Sequence, residues 1–401
     1  MSARPRRILP VIVVSQFAGT SLWFAGNAVL GDLQREWGLG PDAVGHATSA
    51  VQLGFIAGTL VFALVALSDR YSPRRVFFVC SLLGALANAS LYVMGAALYP
   101  LLASRFLTGF FLAGIYPVGM KIAAGWYQRD LGRAIGALVA ALVVGTAFPH
   151  LLKALGQTLP WDAVTIAVSV TAAIGGVLML WLVPDGPHSA KGARFDPAAV
   201  VKVFRSARFR ASAFGYFGHM WELYAFWAFV PVVLTAHADT IGQVELNIPL
   251  WTFAVIAAGA VGCAGGGVVS LRTGSAPVAF WQLLVSGACC VLSPLLFDAG
   301  TPLYLAFLLV WGVAVVGDSP QFSTLNARNA PPELVGSALT IVNCIGFAIT
   351  IPAIQLLNWL APAIPPQYLF VPLAIGPLFG VAALMPLRRE GAGVGRDEPR
   401  R

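Results

Sequence analysis

Charge is what this chain has least of. Asp, Glu, Lys and Arg make up 10% of its 401 residues, 17 of them acidic and 25 basic. Soluble chains average roughly 25% charged residues, so a soluble multidomain protein is excluded. Cysteine is scarce as well. Cys80, Cys263, Cys289, Cys290 and Cys344 all fall within apolar runs and lack metal-ligand spacing, so they read as small buried thiols, with no disulfide framework and no metal site. There is no Gly-x-x-x-x-Gly-Lys-Ser/Thr loop, which excludes work driven by nucleotide hydrolysis. Nor is there a His-Glu-x-x-His, a Gly-x-Ser-Gly or a cluster of His, Cys and carboxylates, so a membrane enzyme is disfavoured and no cofactor is expected.

Apolar residues fill the space that charge leaves. The chain is 58% hydrophobic with 42 Gly and 27 Pro, the composition of a polytopic membrane protein. Its net charge of +8 is accounted for by loop placement, and nucleic acid is not a partner. The apolar run behind MSARPRR, residues 8–30, is longer than a signal-peptide core and reads as a first span. Runs of 18 to 24 residues at ~1.5 Å per residue cross a ~30 Å bilayer core. They predict twelve helices near 8–30, 44–67, 76–98, 99–121, 134–156, 162–183, 209–235, 248–270, 276–298, 302–324, 335–358 and 366–387. The one long polar connection, 184–208, divides an N-terminal six-helix bundle (1–183) from a C-terminal one (209–387), with a tail at 388–401. The expected fold is an all-α membrane protein.

The charges that do occur are placed asymmetrically. An even number of spans puts both termini and every second loop on one side, and 22 of the 25 Lys and Arg fall there, including three in the Ser68–Arg75 island SDRYSPRR. Of the rest, Arg35 lies in an opposite-side loop, and Arg105 and Lys153 within predicted helices. Lys and Arg are retained on the cytoplasmic side. Both termini are therefore expected in the cytoplasm, with the chain in the plasma (inner) membrane.

The halves repeat. GIYP at 114–117 returns as GDSP at 317–320, LGRA at 131–134 as VGSA at 335–338, and Pro149 as Pro352, at offsets of 203 to 204. VALSDRYSPRR, with Leu67, Asp69, Arg70, Arg74 and Arg75, resembles the Gly-x-Leu-Ala-Asp-Arg-x-Gly-Arg-Arg loop between helices two and three of the major facilitator superfamily. The resemblance extends over nearly the whole chain. GVVSLRTGS is its reduced copy in the second half, and RFLTGFFLAGIYP is similar to that family's Arg-x-x-x-Gly pattern through Arg105 and Gly109. Gly136, Gly145 and Pro149 approximate the antiporter motif of helix five without its Gly-Pro pair, and the nitrate-porter repeat is absent. The resemblance implies two pseudo-symmetric six-helix bundles and transport by alternating access.

Ionisable side chains within lipid cost about 2.5 to 3.5 kcal/mol on insertion scales, so they line cavities or have partners. His219 and Glu222 share a helix face at the expected midplane, where Glu222 is either ionised and paired or protonated and a proton-coupling group. Arg105, His150 and Lys153 in the first half suit an anion or a partner carboxylate; Lys121, at a cytoplasmic helix end, is expected to snorkel. Asn27, Gln52, Tyr224 and Asn343 are candidate cavity lining, alongside Trp23, Tyr116, Trp221 and Gln321. A gating role is expected for Asp318 and for Asp69, Arg70, Arg74 and Arg75, with Asp69 latched near the start of helix eleven. Together these readings point to a monomeric secondary transporter of a small organic anion or polar metabolite, proton-coupled and working in uptake. Efflux by proton antiport and a non-transporting sensor are the alternatives.

Overall fold

The computed structural model describes residues 5–127, 131–156, 159–188, 196–242 and 245–394. Of the cations counted above, Arg4, Arg129, Lys191, Arg194, Arg396, Arg400 and Arg401 lie outside the described residues, as does 189–195 of the central connection. Among the described residues there are twelve helical spans and no strand. They are α1 (Ile8–Trp37), α2 (Ala43–Leu64), α3 (Pro73–Tyr92), α4 (Leu98–Trp126), α5 (Leu131–Leu155) and α6 (Trp161–Leu182). The second set is α7 (Ala207–Ile241), α8 (Ile248–Thr273), α9 (Ser275–Phe297), α10 (Thr301–Asn329), α11 (Pro332–Leu360) and α12 (Pro366–Arg389).

The order agrees with the hydropathy runs, but several helices outlast them. α1 continues through Asp32, Arg35 and Glu36, which the sequence reading gave to a loop, and α7 runs 35 residues. α3 starts earlier than expected because Pro73 opens its first turn, where its missing N–H costs nothing.

The repeat is built into the packing. In the first half α1 packs on α5 and α6, α2 on α4, and α3 on α6; in the second, α7 packs on α11 and α12, α8 on α10, and α9 on α12. α1 and α7 both end on a left-handed glycine, Gly38 (φ 65°) and Gly242 (φ 73°). The GIYP and GDSP copies sit where α4 and α10 break, into Leu98–Leu112 plus Tyr116–Trp126 and into Thr301–Gly317 plus Ser319–Asn329. Pro117 and Pro320 stand in the first turn of the second segments, where a missing N–H costs nothing.

Lipid offers no hydrophobic drive for helix association, so small residues and close backbone approach do that work. A Cβ on Gly109 would run into the carbonyl oxygen of Val51, and one on Gly312 into that of Val255. A leucine at either position must push α2 from α4, or α8 from α10, at a cost of about 1–3 kcal/mol or more. Gly312→Leu is expected to lower the melting temperature of the solubilised protein by several degrees. The exposed Gly336, with open space around its Cα, is the control that should tolerate the same change.

The two halves meet along α5 with α8 and along α2 with α11. Between these seams lies an aromatic layer drawn from both halves: Trp23, Phe24 and Phe55 with Tyr224, Trp227 and Phe347, all buried.

Candidate functional site

Three broken helices supply the site. α1 is interrupted between Thr20 and Ala25, which leaves backbone carbonyls without helical partners. Arg105 fills them: Nη2 donates to the carbonyls of Leu22 (2.9 Å) and Trp23 (2.6 Å), and Nη1 to Asn88 Oδ1 (3.0 Å). Asn88 is held by its own donation to Thr165 O and Ser169 Oγ of α6. Gly26 lies against the guanidinium, 2.8 Å from Cδ at its would-be Cβ, so the cation is walled in and fully buried. Trp23, displayed by the break, donates to Gln52 Oε1 (3.4 Å) and stacks on Tyr224 and Phe347, each with centroids 5.6 Å away. One turn on, Asn27 donates to Thr48 Oγ1 (2.7 Å).

Lys153 is not at the midplane. It pairs with Asp32 (2.5 Å) and donates to the Leu159 carbonyl at the end of α5, beside Arg35, Glu36 and Trp161, around a cavity of about 380 Å³. His150 is buried one turn earlier, with Nε2 unpartnered.

In the second half His219 and Glu222 share a helix face but serve different partners. His219 Nδ1 lies 2.8 Å from Oδ1 of Asp318, the residue between the two segments of α10, and both side chains are 1% exposed. Asp318 is therefore an interior partner of α7. Glu222 Oε1 accepts from Ser286 Oγ (2.5 Å), Trp311 Nε1 (2.7 Å) and Cys290 Sγ (3.4 Å), and so ties α7 to α9 and α10. Asn343 of α11 takes a long bond from the Tyr216 hydroxyl, 3.3 Å.

The two ends of the molecule differ. On the face carrying the termini, Asp69 pairs with Lys121 of α4 (2.5 Å), which also donates to the Ser68 carbonyl. Lys121 thus has a specific carboxylate partner and does more than snorkel. Ser72 donates to Asp185, and Arg74 to the Leu180 carbonyl, while Arg70 and Arg75 are exposed. A cavity of about 500 Å³ separates α2 and α4 from the start of α11, lined by Asp69, Lys121, Glu333 and Ser337. Lys121 lies in the same half as Asp69, and the start of α11 faces both across that cavity. On the opposite face the halves are stitched together: Gln355 donates to Ser49 Oγ (2.8 Å), Asn358 to the Asp42 carbonyl (3.1 Å), and the Gly45 N–H to Asn358 Oδ1 (3.2 Å).

A family model described as Major Facilitator Superfamily matches residues 11–354. The chain belongs to the major facilitator superfamily. It is a multi-pass membrane transporter of a solute, not an enzyme. Among solved structures the facilitator is similar to a single-residue mutant of the nucleoside transporter NupG, with TM-score 0.71 and 13% identity over 94% of this chain and 99% of that one. It is also similar to the human organic anion transporter MFSD10 (TETRAN), TM-score 0.68 and 15% identity over 95% and 100%. At these identities the likeness is one of fold. The uncharacterized transporter YgaY of Escherichia coli O157:H7 and its counterpart in strain K12 are each 26% identical over 187 residues. That match takes in 45% of this chain and 46% of each relative, so the chain matches less than half the length of those proteins.

In this facilitator the residues picked from sequence fall into separate groups. Trp23, Gln52 and Tyr224 converge on the aromatic layer, with Asn27 one turn away; His219 and Asp318 form one pair, Glu222 a second cluster, and Lys153 stands apart with Asp32. Sequence reasoning missed Asp32, Asn88, Ser286 and Trp311, the partners of the charged residues, and Gln355 and Asn358 of the stitched face. Asp32 fell in an expected loop, and the neutral residues in apolar helices carry no compositional signal. For Gln355 and Asn358 the three-residue spacing on the last turns of α11 was the only hint.

Proposed function

We propose that this facilitator takes up a small polar metabolite together with protons, by alternating access of the halves 1–183 and 209–387 around the aromatic layer. In this reading it acts as a monomer in the plasma (inner) membrane with both termini in the cytoplasm, and the cavity beside Asp69 is the cytoplasmic way out. The observation that carries proton coupling is the buried His219–Asp318 pair at the break of α10, with Glu222 one turn along α7. An ionisable pair inside a bilayer is costly and persists where its charge state is used. Breaking or remaking a 2.8 Å contact as a proton arrives changes how α7 holds α10, which couples protonation to helix movement. A polar metabolite is favoured over an organic anion because Arg105 and Lys153, the cations that suggested an anion, are already matched by carbonyls and by Asp32.

Purified protein in proteoliposomes, offered radiolabelled nucleosides, sugars, amino acids and carboxylates, is expected to accumulate one solute class when the outside is made acidic. Accumulation that is the same with and without the pH gradient would sink proton coupling.

A further inference from the structure

We propose that the solute is uncharged and rich in hydroxyl or amide groups, so that each cycle carries one net positive charge inward; this rests on the proton-coupled uptake reading above. The inference comes from which buried polar groups are already satisfied. Arg105 has three neutral acceptors, Lys153 has Asp32, His219 has Asp318, and Glu222 has three donors. Around the break of α1, Arg105 keeps only its Nε–H open, walled in behind Gly26, and the other buried atoms left without a partner belong to neutral hydrogen-bonding groups. Gln52 gives its Oε1 to Trp23 and keeps Nε2 open; Asn27 gives its Nδ2 to Thr48 and keeps Oδ1 open; Trp227, edge-on to Phe24, keeps its indole N–H open.

The α5–α8 seam adds two more. A Cβ on Gly259 would lie 3.3 Å from Val143, which sets the register of these antiparallel helices. Seven residues outward along α5 is His150, and seven residues back along α8 is Thr252, so the two stand at one level, one from each half. His150 Nε2 and Thr252 Oγ1 are both buried and unpartnered. Helical threonines normally return the hydroxyl proton to the carbonyl four residues back, as Thr20, Thr48 and Thr108 do here; Thr252 does not. A buried polar atom without a partner is costly, so open donors and acceptors from α1, α2, α5, α7 and α8 fit a solute that supplies matching groups. A carboxylate would find among them no ammonium or guanidinium, only the imidazole of His150.

The charge balance makes this testable. One proton with a neutral solute moves one positive charge; one proton with a monoanion moves none. Proteoliposomes holding an inside-negative potassium diffusion potential set by valinomycin, without a pH gradient, are offered uridine, glucose, inositol, lactate and pyruvate. A neutral solute is expected to accumulate about fiftyfold per 100 mV, and the two carboxylates not at all. Thr252→Val and Gln52→Leu are each expected to raise KM for that solute about three- to tenfold, the worth of one neutral hydrogen bond; the melting temperature should hold in Thr252→Val and fall in Gln52→Leu, which also strips Trp23 of its acceptor. Uptake of lactate or pyruvate instead, indifference to potential under a working pH gradient, or unchanged KM in both variants overturns the proposal. A neutral solute that moves downhill, driven by neither gradient, sinks proton coupling and leaves the substrate class standing. If no neutral solute is bound or moved, both fail.

Discussion

Arg105→Ala is expected to cost this transporter much of its folded population and not only its activity. The guanidinium closes the gap in α1 from α4, and its three acceptors are the carbonyls of Leu22 and Trp23 and the amide oxygen of Asn88. Removing it leaves three buried acceptors open at about 1–3 kcal/mol each, against a total stability of only about 5–15 kcal/mol. The effect also spreads. Trp23 sits in the same turn and holds the aromatic layer between the halves through Tyr224 and Phe347. Arg105→Lys should recover little, because one ammonium cannot span acceptors on α1 and α3 with the reach of a planar fork. Size-exclusion profiles and thermal unfolding in detergent measure this directly. An Arg105→Ala protein with wild-type yield and melting temperature would show that the break in α1 does not depend on the cation.

Glu222→Gln and Asp318→Asn are expected to abolish accumulation driven by a pH gradient, by tenfold or more, while leaving the protein folded. Glutamine keeps an oxygen where Trp311 and Ser286 donate, so the tie from α7 to α9 and α10 survives without the charge. Asparagine likewise keeps an acceptor for His219 while removing the carboxylate that attracts it. Counterflow of solute down its own gradient should persist, since it needs the carrier to reorient and not to exchange protons. Wild-type accumulation in both variants would remove these two carboxylates from any coupling role. Loss in one alone would assign the proton to that cluster and leave a structural part to the other.

Each of these expectations uses a contact between residues far apart in the chain, and that is where sequence reading ran out. Arg105, His219, Glu222 and Asp318 stood out because charge is conspicuous in apolar helices. What each one touches did not. Arg105 was expected to hold an anion or neutralise a carboxylate and is bound to Asn88 and to two backbone carbonyls, groups present at every residue that leave no trace in composition. Lys153 was read as an interior charge; α1 runs past its apolar stretch and brings Asp32 to it.

By itself the sequence determined the twelve spans, the duplication and the family. Those follow from local quantities, since the hydropathy of a run, a proline at a break or a repeat offset needs no partner to be read. The tertiary structure alone decided which charges are spent and which polar atoms remain open, and which face of the seam is stitched. In a bilayer core a polar group without a partner is costly. The meaning of a polar group therefore lies in the neighbour brought to it by packing, as with His219 against Asp318.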